Sequence, residues 1–328
     1  MLTRRSHDLH PMTEALAETE TTTPAEPDFP DHRFTAGAVL LSVMITVFWG
    51  TNPTALKIAL GDMPSQSGHG FPPIGAAGIR FAIAAIGVWI WCAAAGVTAR
   101  PQRGEGRWLA ILGAFFAVQI ATFSLGVYWG TASHSIVILH TYPFFVVALA
   151  HFLIPGDRAT PGRVAGLVAA FSGIVALFAS EWGEWHGSQF LGDATQLLSA
   201  FVLAAQIVVT KHALVRVAPD RVVLWQMAIG APAFLVYSLL FENLAAVRPG
   251  ATSIAAVVYQ GLIIGTLCFT IWTWLIRRHA ASRVAIFGFI APLVGVFLSA
   301  FVLHEQLSPM LLVSASLVAA GIVLANIW

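Results

Sequence analysis

Long apolar stretches follow one another along almost the whole chain. From residue 36 onward, runs of about 20 mostly hydrophobic residues alternate with short polar segments, and each run can cross roughly 30 Å of hydrocarbon as a helix. Strands of a membrane barrel would instead alternate apolar and polar residues, so the continuous runs predict an all-α polytopic membrane protein. The pattern predicts ten transmembrane helices, at residues 36–60, 72–96, 107–130, 133–155, 161–180, 191–213, 220–241, 254–276, 281–303 and 308–327.

The composition agrees with this pattern, since 57% of the residues are hydrophobic and only 10% are charged. Residues 1–35 are different, being rich in Thr, Glu, Pro and Ala, and we expect a disordered cytoplasmic tail. No short apolar stretch with a cleavage site precedes the first span, so we interpret that span as an uncleaved helix. The two cysteines, Cys92 and Cys268, lie in predicted spans without ligand spacing, and we expect no metal and no cofactor.

Both halves of the chain carry the same set of small, acidic and proline residues in the same order. Each half contains five predicted spans, and an odd number makes the second half enter the membrane in the opposite orientation. We therefore predict two inverted five-helix repeats, at residues 36–180 and 190–328. The matching sets are Ala132, Ser133, Pro143, Asp157, Pro161 and Gly173 in the first half and Ala281, Ser282, Pro292, Glu305, Pro309 and Gly321 in the second.

The distribution of Lys and Arg predicts the orientation. Suppose that the N-terminus is in the cytoplasm: of the Lys and Arg residues that flank the spans, only Lys57 and Arg248 then fall on the outer side. This strong positive-inside bias puts both termini inside. Lys57 ends the first span and Lys211 ends the sixth, as inversion requires if the two correspond; two unrelated anchoring lysines are the alternative. The inner residues are Arg100, Arg103, Arg107, Arg158, Arg163, Lys211, Arg216, Arg221, Arg277, Arg278 and Arg283.

These features together resemble the EamA-type members of the drug/metabolite transporter superfamily. The resemblance covers residues 36–328 and is carried by Trp49-Gly50 and Lys57, Arg80, the prolines of spans four and nine, and the two stretches from acid to glycine. It implies export of small metabolites, amino acids and aromatic amino acids foremost, by alternating access through a cavity between the repeats. It also implies that spans three, four, eight and nine border the cavity, with Pro143 and Pro292 as hinges.

Polar groups at mid-membrane depth are candidates for the substrate site, because each costs free energy there without a partner or water. Arg80 could receive a substrate carboxylate, or it could snorkel or tie helix carbonyls together. Gln119 and Gln206 could line a wet cavity or make ordinary interhelical hydrogen bonds. His140 could bind a carboxylate or carry a proton, or it could bond a neighbouring helix as a neutral side chain. Asn52 and Thr270 complete the polar candidates.

Trp49 stands at mid-membrane depth, whereas most other tryptophans fall near predicted interfaces. With Phe123, Tyr259 and Trp272 it could form the wall of a pocket for an apolar side chain, or each could pack against lipid or the protein core.

No Asp or Glu lies in the interior of a predicted span, since Asp193 and Asp220 are at span ends, whereas an antiporter for cationic drugs usually keeps one at mid-membrane depth. We therefore expect an exporter of neutral or aromatic amino acids in the bacterial inner membrane. A proton-coupled drug or metabolite antiporter and a non-transporting receptor are the alternatives. We do not expect an enzyme, because no nucleophile with a base and no metal triad is evident. The expected partners are a small-molecule substrate and the lipid bilayer, without nucleic acid, and the chain is expected to be a monomer or weak dimer.

Overall fold

Helices occupy the apolar runs in the computed structural model, which describes residues 34–61, 70–130, 135, 138–178, 187–244, 247–303 and 309–327. The N-terminal tail predicted for residues 1–35 lies almost wholly outside the described residues, as do Ala132, Ser133 and Glu305 of the repeated set. The helices are α1 (Ala36–Leu60), α2 (Pro73–Ala94), α3 (Gly106–Trp129), α4 (Tyr142–Leu153), α5 (Pro161–Phe178), α6 (Gly187–Ala213), α7 (Pro219–Phe241), α8 (Ala251–Arg278), α9 (281–303) and α10 (Pro309–Ile327).

Among the described residues, six helices are long and apolar enough, by length and composition, to cross a membrane. They are α1, α2, α3, the part Phe190–Ala213 of α6, α7 and α8. The apolar helices in α4, α5, α9 and α10 are shorter in the part of the chain that the structure describes. The chain is therefore an all-helical membrane protein with several spans, and the count of ten spans stays a prediction.

Local sequence signals determine where several helices begin and end. The Thr35 hydroxyl accepts a hydrogen bond from the Ala38 N–H at 3.2 Å and caps the start of α1. Gly61 ends α1 with φ of 75°, a left-handed conformation that favours glycine. Proline, whose missing N–H costs nothing in a first helical turn, is the first residue of α2, α5, α7 and α10.

Two of the described helices depart from regular α geometry along part of their length. Residues Gln260–Cys268 of α8 form a π-helix between two α-helical parts. In α9, the 3₁₀ turn Phe287–Phe289 separates Ala281–Ile286 from Ile290–Leu303. Such irregular turns are frequent at functional sites.

Small residues let α5 and α10 approach closely. A Cβ at Gly166 would lie 2.5 Å from the Gly321 carbonyl oxygen, and a Cβ at Gly321 would lie 2.5 Å from the Gly166 carbonyl oxygen. A Cβ at Gly173 would lie 2.9 Å from the Ser314 carbonyl oxygen. Because Gly166 faces Gly321 and Gly173 faces Ser314, the two helices run antiparallel.

The helices α2 and α7 also pack antiparallel. Gly78 faces Leu235 and Gly75 faces Ser238, so the start of α2 lies against the end of α7. Glu242, directly after α7, accepts hydrogen bonds from the N–H groups of Ile74 at 2.9 Å and Gly75 at 2.8 Å. This carboxylate satisfies two of the N–H groups that the first turn of a helix leaves without partners.

The larger helix contacts come in matching pairs. Helix α3 packs on α6 as α8 packs on α1, α3 packs on α7 as α8 packs on α2, and α4 packs on α6 as α9 packs on α1. Let each of α1 to α5 exchange places with the helix five positions later in the chain, so that α1 corresponds to α6 and α2 to α7. These helix–helix contacts then form the same set as before.

Buried polar contacts join connecting segments to helix ends. The Asp157 carboxylate accepts hydrogen bonds from the Arg163 guanidinium at 2.7 Å, from the Ser282 N–H at 3.1 Å and from the Ser282 hydroxyl. The Lys211 ammonium donates to the carbonyl oxygens of Ile276 at 2.8 Å and His279 at 2.7 Å. Asp157 thus caps the start of α9, and Lys211 caps the end of α8.

Candidate functional site

A cavity of about 150 Å³ lies between the helices near the middle of the fold. Its described lining comes from α1, α2, α3, α4, α6, α7, α8, α9 and the segment before α4, and α5 and α10 contribute none of these residues. Most of the lining is apolar, with a few polar side chains pointing inward, which is the usual character of a small-molecule site.

The structure brings together eight of the ten residues that the sequence suggested for substrate binding. The eight that line the cavity are Trp49, Asn52, Arg80, Gln119, Phe123, His140, Gln206 and Trp272. Tyr259 and Thr270 are not among the lining residues: the Tyr259 hydroxyl is 2.6 Å from the Thr51 hydroxyl, and the Thr270 hydroxyl donates to the Thr266 carbonyl oxygen at 2.6 Å.

Arg80 is the charged group of the described lining. It lies in α2 with 3% of its surface exposed, and its guanidinium carbon is 4.8 Å from the centre of the Phe81 ring. Its buried Nε has no hydrogen-bond partner, and among the described residues no carboxylate pairs with it. A buried cation without a counter-charge is costly, and an anionic group beside it would lower that cost.

Four glutamines and an asparagine add neutral donors and acceptors to the cavity wall. Gln119 donates to the Ser199 hydroxyl at 3.2 Å, and Gln206 donates to the Gln226 oxygen at 3.2 Å. Gln260 donates to the Asn52 side-chain oxygen at 3.0 Å. These amides therefore make interhelical hydrogen bonds and line the cavity at the same time. The side-chain oxygens of Gln206 and Gln260 are buried and have no partner.

Aromatic rings form another part of the wall. The ring of Trp49 lies 4.9 Å from that of Trp272 and 5.9 Å from that of Phe269, measured between centroids. Phe269 also lies edge-on to Phe81, at 6.0 Å. This cluster gives the cavity an apolar, aromatic surface.

The helix irregularities lie beside the cavity. Gln260 and Ile264 of the π-helical segment line it, and so does Gly288 of the 3₁₀ turn. Pro143 is in the first turn of α4, directly after a turn at His140 and Thr141. Pro292 follows the 3₁₀ turn of α9. Both prolines therefore lie next to an interruption of regular helix, and their role as hinges stays a prediction.

Sequence reasoning missed six polar residues of the described cavity lining, which are Ser135, Tyr142, Thr210, Gln226, Gln260 and Thr273. Gln226 and Gln260 lie inside predicted spans, so considering every glutamine at that depth would have found them. Tyr142 carries no such signal, because the placement of its side chain in the first turn of α4 depends on contacts with α9. Its hydroxyl donates to the Ala285 carbonyl oxygen at 3.0 Å.

The model of the EamA-like transporter family matches the chain twice, over residues 36–179 and 190–327. The chain belongs to this family. Within the EamA-like transporters, it is 27% identical over 291 residues to a protein of Escherichia coli (strain K12) named a probable amino-acid metabolite efflux pump, with 86% of this chain and 92% of the relative covered. It is 25% identical over 300 residues to a probable terminal-alkyne amino-acid exporter of Streptantibioticus cattleyicolor, with 88% and 93% covered.

A solved crystal structure has the same fold. It matches this EamA-like transporter with a TM-score of 0.75 at 20% sequence identity, and the match covers 88% of this chain and 98% of the other. The relatives named above are a pump and an exporter, which agrees with a transporter and not with an enzyme.

Proposed function

We propose that this chain exports neutral amino acids, including aromatic ones, from the cytoplasm through the central cavity. The observation that carries the proposal is Arg80, a buried guanidinium on the cavity wall without an ion pair to any described carboxylate. An arginine at this depth costs about 3 kcal/mol on insertion scales, and a substrate carboxylate offsets that cost with two parallel hydrogen bonds.

The charge of the cavity supports a zwitterionic substrate. No Asp or Glu is among the described residues that line it, so a cationic drug would meet Arg80 and no opposite charge. A neutral amino acid instead brings one carboxylate for Arg80 and keeps its net charge at zero. The rings of Trp49, Phe269 and Trp272 provide a surface for an aromatic or aliphatic side chain.

The names of the relatives point to the same class. The Escherichia coli and Streptantibioticus cattleyicolor proteins are named for amino-acid metabolites and for terminal-alkyne amino acids, respectively. An amino acid carries a carboxylate, for which Arg80 provides a guanidinium partner.

We also propose ten spans arranged as two inverted repeats, 36–180 and 190–328. Two kinds of packing support this arrangement. The helices that would be counterparts, α2 with α7 and α5 with α10, run antiparallel, as an axis in the membrane plane requires. The larger helix contacts also keep their pattern when the two halves are exchanged.

Alternating access is the mechanism that this architecture favours. The two halves would rock around the cavity, with the irregular turns beside Pro143 and Pro292 absorbing the change in helix direction. A tight cross-link between the outer ends of α3 and α8 is expected to abolish flux. Unchanged flux in the cross-linked protein would contradict this mechanism.

The experiment that tests the function is counterflow in proteoliposomes of the purified chain. The labelled panel contains aromatic, aliphatic, hydroxyl and cationic amino acids together with an organic-cation drug. We expect saturable exchange of the neutral amino acids without an imposed proton gradient. Because a hydrogen bond to a charged group is worth about 1.5–3 kcal/mol, Arg80→Gln is expected to weaken apparent affinity by roughly 10- to 100-fold.

Arg278→Gln is the matched control. Arg278 is an exposed arginine at the end of α8, with its guanidinium carbon 4.3 Å from the Trp274 ring centre. Its variant should exchange amino acids like the wild type. Exchange of the drug alone would overturn the proposed substrate class.

A proton-coupled antiporter is the second candidate function, because His140 lines the cavity. It predicts flux only with a proton gradient and loss of that dependence in His140→Gln. Flux without a gradient in the same liposomes would exclude it.

A further inference from the structure

We propose that the side-chain oxygen of Gln260 accepts a hydrogen bond from the substrate ammonium group, so that the cavity selects amino acids over carboxylic acids that lack the amino group. This inference rests on the proposed function, in which Arg80 binds the carboxylate. It assigns the other charged end of the zwitterion to a neutral amide.

Gln260 is a buried acceptor that lacks a partner. Its residue surface is 1% exposed, it lines the cavity, and its Oε1 atom makes no hydrogen bond. Buried polar atoms are nearly always bonded, and one left without a partner destabilises the protein. A donor that enters the cavity with the substrate would satisfy this oxygen.

The neighbours of Gln260 determine which way its amide points. Its Nε2 atom donates to the Asn52 side-chain oxygen at 3.0 Å and is 3.4 Å from the Asn52 main-chain carbonyl oxygen. A main-chain carbonyl can only accept, so the NH₂ group must face Asn52. The oxygen is then directed away from Asn52 and is the atom that remains for a ligand.

Arg80 and Gln260 lie on helices that touch at the same level. A Cβ at Gly261, the residue after Gln260, would lie 2.8 Å from the Arg80 carbonyl oxygen. The carboxylate and the ammonium of an α-amino acid are bonded to the same carbon. A substrate carboxylate at Arg80 therefore keeps its ammonium close to the part of the wall that contains Gln260.

The surroundings favour a neutral acceptor for the ammonium. No carboxylate is among the described lining residues, so amide oxygens and aromatic faces are what the wall offers to a cation. The Gln206 Oε1 atom also has no partner. Gln206 faces the side-chain amide of Gln226, however, and the two amides would still form a hydrogen bond if the oxygen and nitrogen of each were interchanged. The direction of the Gln206 oxygen is therefore not determined by its neighbour. Gln260 is the acceptor whose direction is determined by a main-chain carbonyl.

The test compares ligands that differ only at the amino group. Binding of phenylalanine and of 3-phenylpropionate to the purified full chain is measured by calorimetry for the wild type and for Gln260→Met. In the wild type we expect phenylalanine to bind roughly 10- to 100-fold more tightly. In Gln260→Met that preference should fall to within about threefold, because phenylalanine weakens while 3-phenylpropionate does not.

Gln196→Met is the matched control. Gln196 is a fully buried glutamine of α6 with an unpartnered side-chain oxygen, but it is not among the residues that line the cavity. Its variant should keep the wild-type preference for phenylalanine. An unchanged preference in Gln260→Met, or an equal loss of both ligands, would overturn the assignment.

A third ligand tests the same contact on the wild-type protein, where folding of a variant is not in question. N,N,N-trimethylphenylalanine keeps the positive charge but has no N–H to donate. We expect it to bind no more tightly than 3-phenylpropionate. Binding as tight as that of phenylalanine would overturn the proposal in favour of the aromatic faces. If phenylalanine itself does not bind the wild type, the proposed function fails before this inference is reached.

Discussion

Tyr142 and Gly288 join α4 to α9 beside the cavity. Tyr142 is 4% exposed and donates its hydroxyl to the Ala285 carbonyl oxygen at 3.0 Å. A Cβ at Gly288 would overlap the Tyr142 hydroxyl and lie 2.8 Å from its ring carbon Cζ. The absence of a side chain at Gly288 is therefore a condition for the tyrosine to occupy its position.

Gly288→Ala is expected to destabilise the protein by roughly 1–3 kcal/mol, because a methyl group forced into a packed site displaces its neighbours. Unfolding in detergent with denaturant measures the change. A Cβ at Gly250 would meet only the Thr252 hydroxyl at 3.9 Å, so Gly250→Ala is the control and should cost little. The cost of Gly288→Ala should shrink in a Tyr142→Leu background, and an equal cost in both backgrounds would contradict the assigned contact.

Glu105 and Arg221 form a buried pair outside the membrane-spanning part of α3. The Arg221 guanidinium contacts the Glu105 carboxylate with both its Nη2, at 2.7 Å, and its Nε, at 3.0 Å, and the Gln102 N–H donates to the same carboxylate at 2.8 Å. Burial by itself raises the pKa of Glu105, but these hydrogen bonds and the charge of Arg221 outweigh it, so the pKa is lowered. The charged form of Glu105 therefore stabilises the fold.

The pH dependence of stability follows from the direction of this shift. A carboxyl group with a lowered pKa in the folded state contributes its full stabilisation above the unfolded pKa of about 4.3, and loses it as the pH falls through the lower folded value. We expect the wild type to be more stable than Glu105→Gln by roughly 1–3 kcal/mol at pH 7. The difference should shrink below pH 4, and a difference that does not vary with pH would contradict the prediction.

The crossing of α5 and α10 depends on small residues on both helices. Gly166 and Gly321 face each other so closely that a Cβ added at either position would clash with the backbone of the other helix. Neither α5 nor α10 supplies a described lining residue, so this pair supports the cavity from outside. Close approach through glycine is a common way for helices to associate in membranes, where no hydrophobic effect drives them together.

Gly166→Ala is expected to destabilise the chain by roughly 1–3 kcal/mol, because the Cβ would lie 2.5 Å from one backbone oxygen and 2.7 Å from the Ala325 nitrogen. Thermal unfolding in detergent measures the loss. Gly106→Ala is the control, since a Cβ there meets nothing within 4 Å and alanine favours the helix. Equal unfolding temperatures for the two variants would show that the crossing tolerates a methyl group.

At the scale of the whole molecule, the charged loops determine which side each helix end faces. Inversion requires the segments that contain Arg103 and Arg248 to lie on opposite sides of the membrane. Both side chains are exposed, and both native cysteines are buried. Surface labelling can therefore report orientation without interference from Cys92 or Cys268.

We expect an impermeant maleimide to label Arg248→Cys in spheroplasts and Arg103→Cys only in inside-out vesicles. Loops rich in Lys and Arg stay in the cytoplasm, which is the physical reason to expect this orientation. Labelling of both positions from the same side would contradict the proposed topology.

Much of the fold followed from simple patterns in the chain. The apolar runs located the helices because a membrane span needs about 20 apolar residues, and this requirement is visible in the sequence itself. The search for polar groups at depth also found Arg80, Gln119 and His140 on the cavity wall. It named Thr270 as well, whose hydroxyl bonds within its own helix, because a pattern does not reveal which face of a helix meets its neighbours.

The sequence by itself determined that the chain is an all-helical membrane protein of the EamA type, where its helices lie, and which buried charge needs a partner. Only the tertiary structure decided which polar side chains share one cavity. It also showed that the unpartnered side-chain oxygen of Gln260 points away from Asn52, and that α8 contains a π-helix beside the cavity. The physical reason is the range of the interactions. Hydropathy reflects the interaction of each residue with its own solvent, so it can be read from one position at a time. Hydrogen bonds and close packing instead depend on side chains from helices that are far apart in the chain.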